Sequence, residues 1–547
     1  MRYGLIALSA ALLSSPALAD TLIDNANGVQ VDIFGKLQRF TGLLIGDDGK
    51  VVRRLAAGEA RPEAAMVIDA GGRILLPGMI DAHGHVMGLG LAATQLDLVA
   101  TASLAQLQQR LAEHAAASPG GSWILGRGWN QELWPDRRFP TAADLDSVVA
   151  DRPVVLERVD GHALVVNSAA LKAAGIVDST QDPAGGRIER DSTGKATGLL
   201  IDAAGDLVSA KIPPADEAKL DQAFAKAQQA LLAKGITATA DMGTDVDAWQ
   251  TYLRAGERGR LKLRIIGYAL DTDAMLKIVP NGPSPWLYND RLRMAGMKLY
   301  ADGALGSRGA WLKQPYADRP DTRGLKFLSD QELRSKAYSA ARRGLQVAIH
   351  AIGDAANAQA IDTFEWLSKH YPGYRRWRIE HVQIVDPADI PRIGKARIIA
   401  SMQPVHQTSD RLMAQRRLDP DRLEGAYAWR SILEGGAKLA FGSDFPVESP
   451  NPFPGLAAAI SRQDLAGQPP GGWLPDERLT LEQALTAFTR DSAFAGFAED
   501  KIGALDPGAW ADFILVDRDP AKVDSGALAR TSVLETWIAG RKVWERD

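Results

Sequence analysis

The sequence predicts an α/β chain: a (β/α)₈ TIM barrel joined to a small β domain that both ends of the chain build together. Three observations predict it. Short apolar segments alternate with helical patterns through the middle of the 547 residues. Both ends are instead rich in short strands and tight turns. Finally, residues able to bind a metal recur at the ends of apolar segments, where a barrel carries its active site.

The first nineteen residues read as a removable secretory signal. Arg2 gives a charged start, Gly4 to Leu13 a short apolar core, and Ala17-Leu18-Ala19 a small-residue cleavage site before Asp20. The apolar stretch is too short to span a bilayer, and no other stretch is long enough. The expected location is therefore periplasmic or secreted, with no membrane association after cleavage. Residues 20–76 and 497–547 are assigned to the β domain. Val29 to Phe34 and Leu43 to Ile45 read as strands, with Gly46-Asp-Asp-Gly49 as a turn. Ala511 to Val516 and Val533 to Ile538 do the same at the other end, and Ala539-Gly540-Arg541 turns the chain into Lys542-Val543-Trp544.

Residues 77–496 are assigned to the barrel. Leu104 to Ala117 and Ala218 to Lys234 carry helical periodicity. Strands are expected at Val154 to Leu156, Thr237 to Ala240, Leu263 to Gly267, Met297 to Tyr300, Gln346 to Ile349, Arg378 to Glu380 and Lys438 to Phe441. Four tryptophans, Trp123, Trp129, Trp134 and Trp311, leave two readings open, an apolar substrate wall or core packing.

Composition narrows the chemistry. There is no cysteine, so neither disulfides nor thiolate metal sites are available. The net charge is −4, and removing residues 1–19 takes away only Arg2, which leaves −5. That balance excludes a nucleic-acid partner, which would need a basic stripe. A small-molecule substrate is the expected partner, and composition sets no bar to a homodimer.

The chemistry begins at His83-Gly-His85, which follows the apolar run from Ile74 to Ile80. Two histidines at i and i+2 on an extended strand share one face and can reach one metal ion. Lys298, His350, His381 and Asp444 each close or follow a further apolar segment. The separations fit units of about 30 residues: 52 from Lys298 to His350, 31 from there to His381, and 63 to Asp444. The 215 residues from His83 to Lys298 are too many for three units, so an insertion must lie in the first half. These residues then fall on strands 1, 4, 5, 6 and 8. Imidazoles and carboxylates suit zinc or a related divalent metal. By strand alternation Lys298 shares a face with Met294, Gly296 and Tyr300. If that face lines the barrel, an ammonium is buried beside metal cations, which is unfavourable unless its charge changes. Reaction with CO₂ would make it an anionic carbamate able to bridge two metals. Asp444 can bind metal and take a proton from the attacking water.

With these residues in place, the chain resembles the amidohydrolase superfamily, and most closely family-3 amidohydrolases of the N-substituted formamide deformylase type. The resemblance rests on Leu76-Pro-Gly-Met-Ile-Asp-Ala-His-Gly-His85, on Met297 through Arg308, and on His350-Ala-Ile-Gly-Asp354. It continues through Ile379-Glu-His381, Gly442-Ser-Asp-Phe-Pro446 and Gly503 through Leu515. It covers essentially all of the chain after residue 19. It implies a composite β-sandwich beside the barrel, His83, His85 and Asp444 on one metal, His350 and His381 on a second, and carbamylated Lys298 between them. It implies an inserted segment at about 86–235, in which Val159-Asp-Gly-His162 resembles a substrate-side motif, so His162 contacts the substrate or its tetrahedral intermediate. Asn167 and Ser168 read as a helix start. Asp302 and Arg308 orient the site or bind substrate, with a surface ion pair as the open alternative, and His406 lines the pocket from strand 7. The implied activity is hydrolysis of a non-peptide C–N bond of a small molecule through a metal-activated water. Two alternatives stay open: an esterase or lactonase on the same site, and a non-catalytic periplasmic binding or regulatory protein.

Overall fold

Eight parallel strands surround one axis in chain order: β1 (Met79–Gly84), β2 (Ile236–Thr244), β3 (Arg264–Ala269), β4 (Leu292–Tyr300), β5 (Gln346–Ala351), β6 (Arg378–His381), β7 (Ile399–Met402) and β8 (Lys438–Phe441). This computed structural model describes residues 20–118, 120 and 122–547, so the expected signal lies outside the described residues. Among the described residues no helix is long and apolar enough to cross a membrane. The backbone closes the ring where β8 meets β1. Asp444 N–H donates to His83 O at 2.7 Å and His85 N–H to Phe445 O at 2.7 Å. Most barrel strands are buried on both faces, which is why they read as apolar runs rather than alternating ones.

Alternation fails at one place that matters. Met294 packs with Met297 and Leu299 in the large core cluster between barrel and helices, not on the Lys298 face. Pairing of β3 with β4 jumps from Gly267–Met294 to Tyr268–Gly296, so Ala295 is an extra residue. Such a bulge moves every residue before it to the other face.

The β domain consists of two sheets. One is built from Thr21–Asp24, Gly42–Ile45, Val51–Leu55 and Met66–Asp69. The other combines Asn27–Val31, Leu37–Phe40 and Ile74–Pro77 with Phe513–Val516, Val533–Ile538 and Arg541–Glu545. Their shared core includes Ile23, Leu43, Leu75, Phe513 and Trp537. A buried ion pair locks this domain to the barrel: Arg264 on β3 meets Asp512 at 2.6 and 3.0 Å, with the two side chains 0% and 3% exposed.

Between β1 and β2 the chain leaves the barrel to form a separate six-stranded sheet, running from Leu96–Asp97 to Ala196–Asp202. The strand expected at Val154 to Leu156 runs over Val154–Arg158 in this sheet, within the segment expected to be inserted. The sheet has its own core around Leu107, Leu111, Trp129 and Trp134. The indole N–H groups of Trp129 and Trp134 donate to the carbonyls of Leu156 and Thr101 at 2.8 and 2.9 Å. Trp123 packs on another core of the insertion and Trp311 on the barrel core. Of the two readings of these tryptophans, core packing is the one observed. Asn167 caps the helix Ser168–Ala174 by accepting from Ala170 N–H.

Breaking the Arg264–Asp512 pair should be costly, because removal of one partner leaves the other charge buried and alone. Asp512→Ala is expected to destabilise the chain by about 3–5 kcal/mol. Chemical denaturation measures this, and a change below about 1 kcal/mol would show that the pair does not clamp the two domains.

Candidate metal centre and cavity

Six of the eight histidines gather at the C-terminal end of the barrel, linked by ring contacts: His83 with His85 and His381, His350 with His381 and His162, and His381 with His406. His83 stands on β1, fully buried, with its Nδ1 2.7 Å from Glu380 Oε2. A carboxylate can only accept there, so the proton sits on Nδ1 and the lone pair on Nε2. That Nε2 is buried and has no hydrogen-bond partner. Glu380 is in turn fixed by Arg378 at 2.8 and 3.1 Å, and Arg378 also donates to Ala82 O and Ser401 Oγ. Gln403 Oε1 lies 2.9 Å from His381 Nδ1, which leaves His381 Nε2 as the free nitrogen.

Asp444 follows β8 and faces this group. Its Oδ1 lies 3.1 Å from His85 Nε2 and 3.4 Å from His83 Nε2, and its Oδ2 is 4.0 Å from His406 Nε2. Burial would raise its pKa, but the hydrogen bond from His85 helps to hold it below the ordinary carboxylate value. Asp444, His381 and Val382 all have positive φ, at 59°, 75° and 46°. Non-glycine residues hold such backbone only where the surroundings enforce it. Part of the enforcement is Gly442. A Cβ there would stand 2.5 Å from Asp81 Oδ1 and 2.6 Å from His83 N, so only glycine lets β8 approach β1 this closely. Asp81 staples the same junction by accepting from His83 N–H and from the N–H and Oγ of Ser443, while burial pushes its pKa up to about 7.

Lys298 on β4 is buried, with Nζ 4.5 Å from the centre of the Tyr300 ring. Burial lowers its pKa to about 8. His350 ends β5 with a buried Nε2 that lacks a hydrogen-bond partner. Burial first, and neighbouring cations second, keep His83, His350 and His381 well below the usual imidazole pKa, hence neutral.

A cavity of about 740 Å³ opens on this centre and is lined by His162, His350, His381, His406 and Asp444. Its far walls come from the insertion, at Asn130 and Arg158, and from the loops after β4 and β8. His162 Nδ1 is 2.6 Å from Asp202 Oδ1. Although burial opposes its charge, the Asp202 hydrogen bond and negative charge raise the His162 pKa to about 9. Asp202 sits in a notch between Gly303 and Gly309, where a Cβ on either would lie 2.5 Å from Asp202 Oδ2. The insertion and the loop after β4 therefore make this dyad jointly.

Asp302 and Arg308 each take one of the roles left open for them. Asp302 is fully buried, and its oxygens accept from the N–H groups of Ile352, Gly353 and Trp311 at 2.8–3.0 Å. Burial, against these three donors, raises its pKa to about 8. It orients the loop after β5 and lies 3.5 Å from His350 Nε2, with no face on the cavity. Arg308 points away and pairs with Asp318 at 2.9 and 3.2 Å, the ion-pair alternative. His406 is not on β7 but in the first turn of the helix Pro404–Arg417 that follows it, close enough to His381 and Asp444 to form a second metal-capable group beside His83, His85 and Asp444. Glu380, Arg378, Asp202, Asp241 and Asp81 escaped the sequence reading. Asp241 accepts from Val86 N–H just after His85, and from Thr244 and Tyr252 hydroxyls. The one available signal was a carboxylate embedded in an apolar strand.

The donor set fits a divalent metal. Buried imidazole nitrogens of His83, His350 and His406 and Asp444 Oδ1 all lack hydrogen-bond partners, a costly arrangement unless something binds them. The comparisons agree. The model of the amidohydrolase family, family 3, matches residues 66–544, and the chain belongs to that metal-dependent family of hydrolases acting on carbon–nitrogen bonds. Protein LONG AFTER FAR-RED 3 of Arabidopsis thaliana is 34% identical over 499 residues, covering 88% of this chain and 84% of that protein. N-substituted formamide deformylase of Arthrobacter pascens is 28% identical over 511 residues, 89% of this chain and 91% of that one. A crystal structure of an uncharacterized metal-dependent hydrolase from Pyrococcus horikoshii OT3 superposes with a TM-score of 0.75 at 28% identity, over 93% of this chain and 99% of that one.

Because Glu380 fixes the tautomer of His83, Glu380→Gln is expected to weaken metal retention about 10–100-fold. Competition with a chelator reads this directly. Retention equal to that of the unaltered protein would remove Glu380 from the centre's support.

Proposed function

We propose that the chain hydrolyses an amide C–N bond of a small molecule, with His83, His85, Lys298, His350, His381 and Asp444 holding one or two divalent ions, zinc by their donor chemistry. The observation that carries this is the convergence of the unpartnered, buried imidazole nitrogens of His83 and His406 on the Asp444 carboxylate at the floor of the cavity. When bound, the metal supplies Lewis acidity, polarising the amide carbonyl and acidifying a water. The N-substituted formamide deformylase relative supports an amide as the bond.

Asp444, kept ionised by its imidazole neighbours, accepts the proton of the attacking water and returns it to the leaving amine. His162 lines the cavity with Nδ1 committed to Asp202, so Nε2 remains to donate to the carbonyl oxygen as negative charge develops on it. Lys298 supports the reading through its burial and lowered pKa, which favour the free amine that CO₂ attacks. The addition forms an N–C bond and releases one proton, leaving the carbamate anion as a ligand in place of a buried cation. The charged start, apolar core and small-residue cleavage site within residues 1–19 support a periplasmic or secreted enzyme.

The test is a panel of N-formyl, N-acyl and cyclic amides with matched esters on the metal-loaded protein. Amide hydrolysis is expected, abolished by chelation and restored by zinc. Asp444→Asn should lower kcat by about 10²–10⁴-fold. Turnover of the esters alone, or an Asp444→Asn protein of unchanged kcat, would contradict the proposal.

A further inference from the structure

Two carboxylates on the cavity wall are already neutralised. Glu132 is paired with Arg416 and with Arg417, the latter at 2.6 Å, and Asp160 is paired with Arg158. Arg127 spends its donors on the carbonyls of Pro446 and Val159 and on Glu157. Asp97 stands exposed at the rim and accepts from Val99 N–H.

Asp410 and Glu448 differ. They line the same cavity, and neither has a lysine or arginine within 4.0 Å among the described residues. Asp410 Oδ2 accepts from Gln383 Nε2 at 2.6 Å and Tyr427 Oη at 2.9 Å, and Glu448 Oε1 accepts from Ser409 Oγ at 2.6 Å. Asp410 Oδ1 and Glu448 Oε2 have no donor among the described residues. His406, one helical turn before Asp410, directs its Nε2 toward Asp444 at 4.0 Å. Both carboxylates are half-buried, and this desolvation raises the pKa of each against the opposing charge of the nearby His406. The two carboxylates share this cavity with the metal centre: His350, 2% exposed, lines it with an Nε2 that has no hydrogen-bond partner. Leu133, Leu305 and Met413 supply an apolar stretch of wall.

We propose that the substrate carries a cationic group that sits against Asp410 and Glu448, with an apolar body along Leu133, Leu305 and Met413 and its amide at the metal centre. The assignment of the amide end rests on the hydrolase reading above. A cation supplies a close counter-charge where no lysine or arginine pairs with them, whereas a neutral group of the same shape displaces their water and gives them no partner. Specificity then comes from the penalty on the neutral ligand as much as from attraction to the charged one.

The test needs no turnover. Dissociation constants are measured calorimetrically on the metal-loaded full chain for phenylpropyl-trimethylammonium and for its carbon isostere, in which tert-butyl replaces trimethylammonium. Neither terminal group can coordinate a metal. The cation is expected to bind at least ~tenfold more tightly. Glu448→Gln and Asp410→Asn, which keep a carbonyl oxygen for Ser409 or Tyr427, should each cut that ratio toward unity. Equal binding of the two ligands, no binding of the cation, or a ratio that survives both substitutions would overturn the proposal. A cation preference in a protein that hydrolyses no amide would keep the acidic wall and remove only the reaction.

Discussion

At the centre of the barrel a carboxylate, Glu380, is held from below by a fully buried arginine and grips the ring of His83 at 2.7 Å from above. Neither charge could be buried alone. Together they form a stack in which the guanidinium neutralises the carboxylate and the carboxylate fixes the imidazole tautomer. The position of the His83 lone pair, and so the geometry offered to a metal, follows from this stack. β1 and β6 are tied through it to β7, because Arg378 also bonds Ala82 O and Ser401 Oγ. The stack is therefore also a brace across the barrel floor.

Around that brace, the loops are shaped by close approach. Gly442 lets the β8 end come within contact of β1, which puts Asp444 opposite His83 and His85. Gly303 and Gly309 open a notch for Asp202, which in turn aims His162. The left-handed backbone at His381 and Asp444 is local strain at the site, retained because neighbouring hydrogen bonds and packing leave no relaxed alternative. The large cavity volume is then free for recognition, and its charge pattern, with two carboxylates lacking basic partners, sets what can enter.

Much of this was legible in the sequence because barrel strands are short, apolar and followed directly by functional side chains. His83, Lys298, His350 and His381 stand on β1, β4, β5 and β6, and Asp444 follows β8, as the spacing predicts. The supporting residues were not legible, for a physical reason. Glu380 and Asp202 matter through partners 297 and 40 residues away, and their place in apolar strands is the one local mark they carry. Alternation misplaced Met294 because the bulge at Ala295 leaves no mark in the sequence. The sequence left Asp302 and Arg308 with open alternatives, and partners distant in the chain decide between them: backbone N–H groups for Asp302 and Asp318 for Arg308.

The central claim is that the converging imidazoles and Asp444 are a metal centre on which the fold's chemistry depends. Elemental analysis of the purified chain, run alongside a His83→Ala/His85→Ala protein of matched folding by circular dichroism, tests it most directly. The account predicts at least one equivalent of a divalent transition metal, zinc first, in the unaltered chain and a large loss of it in the double variant. A folded, unaltered protein that hydrolyses amides with no bound metal after chelation would contradict it.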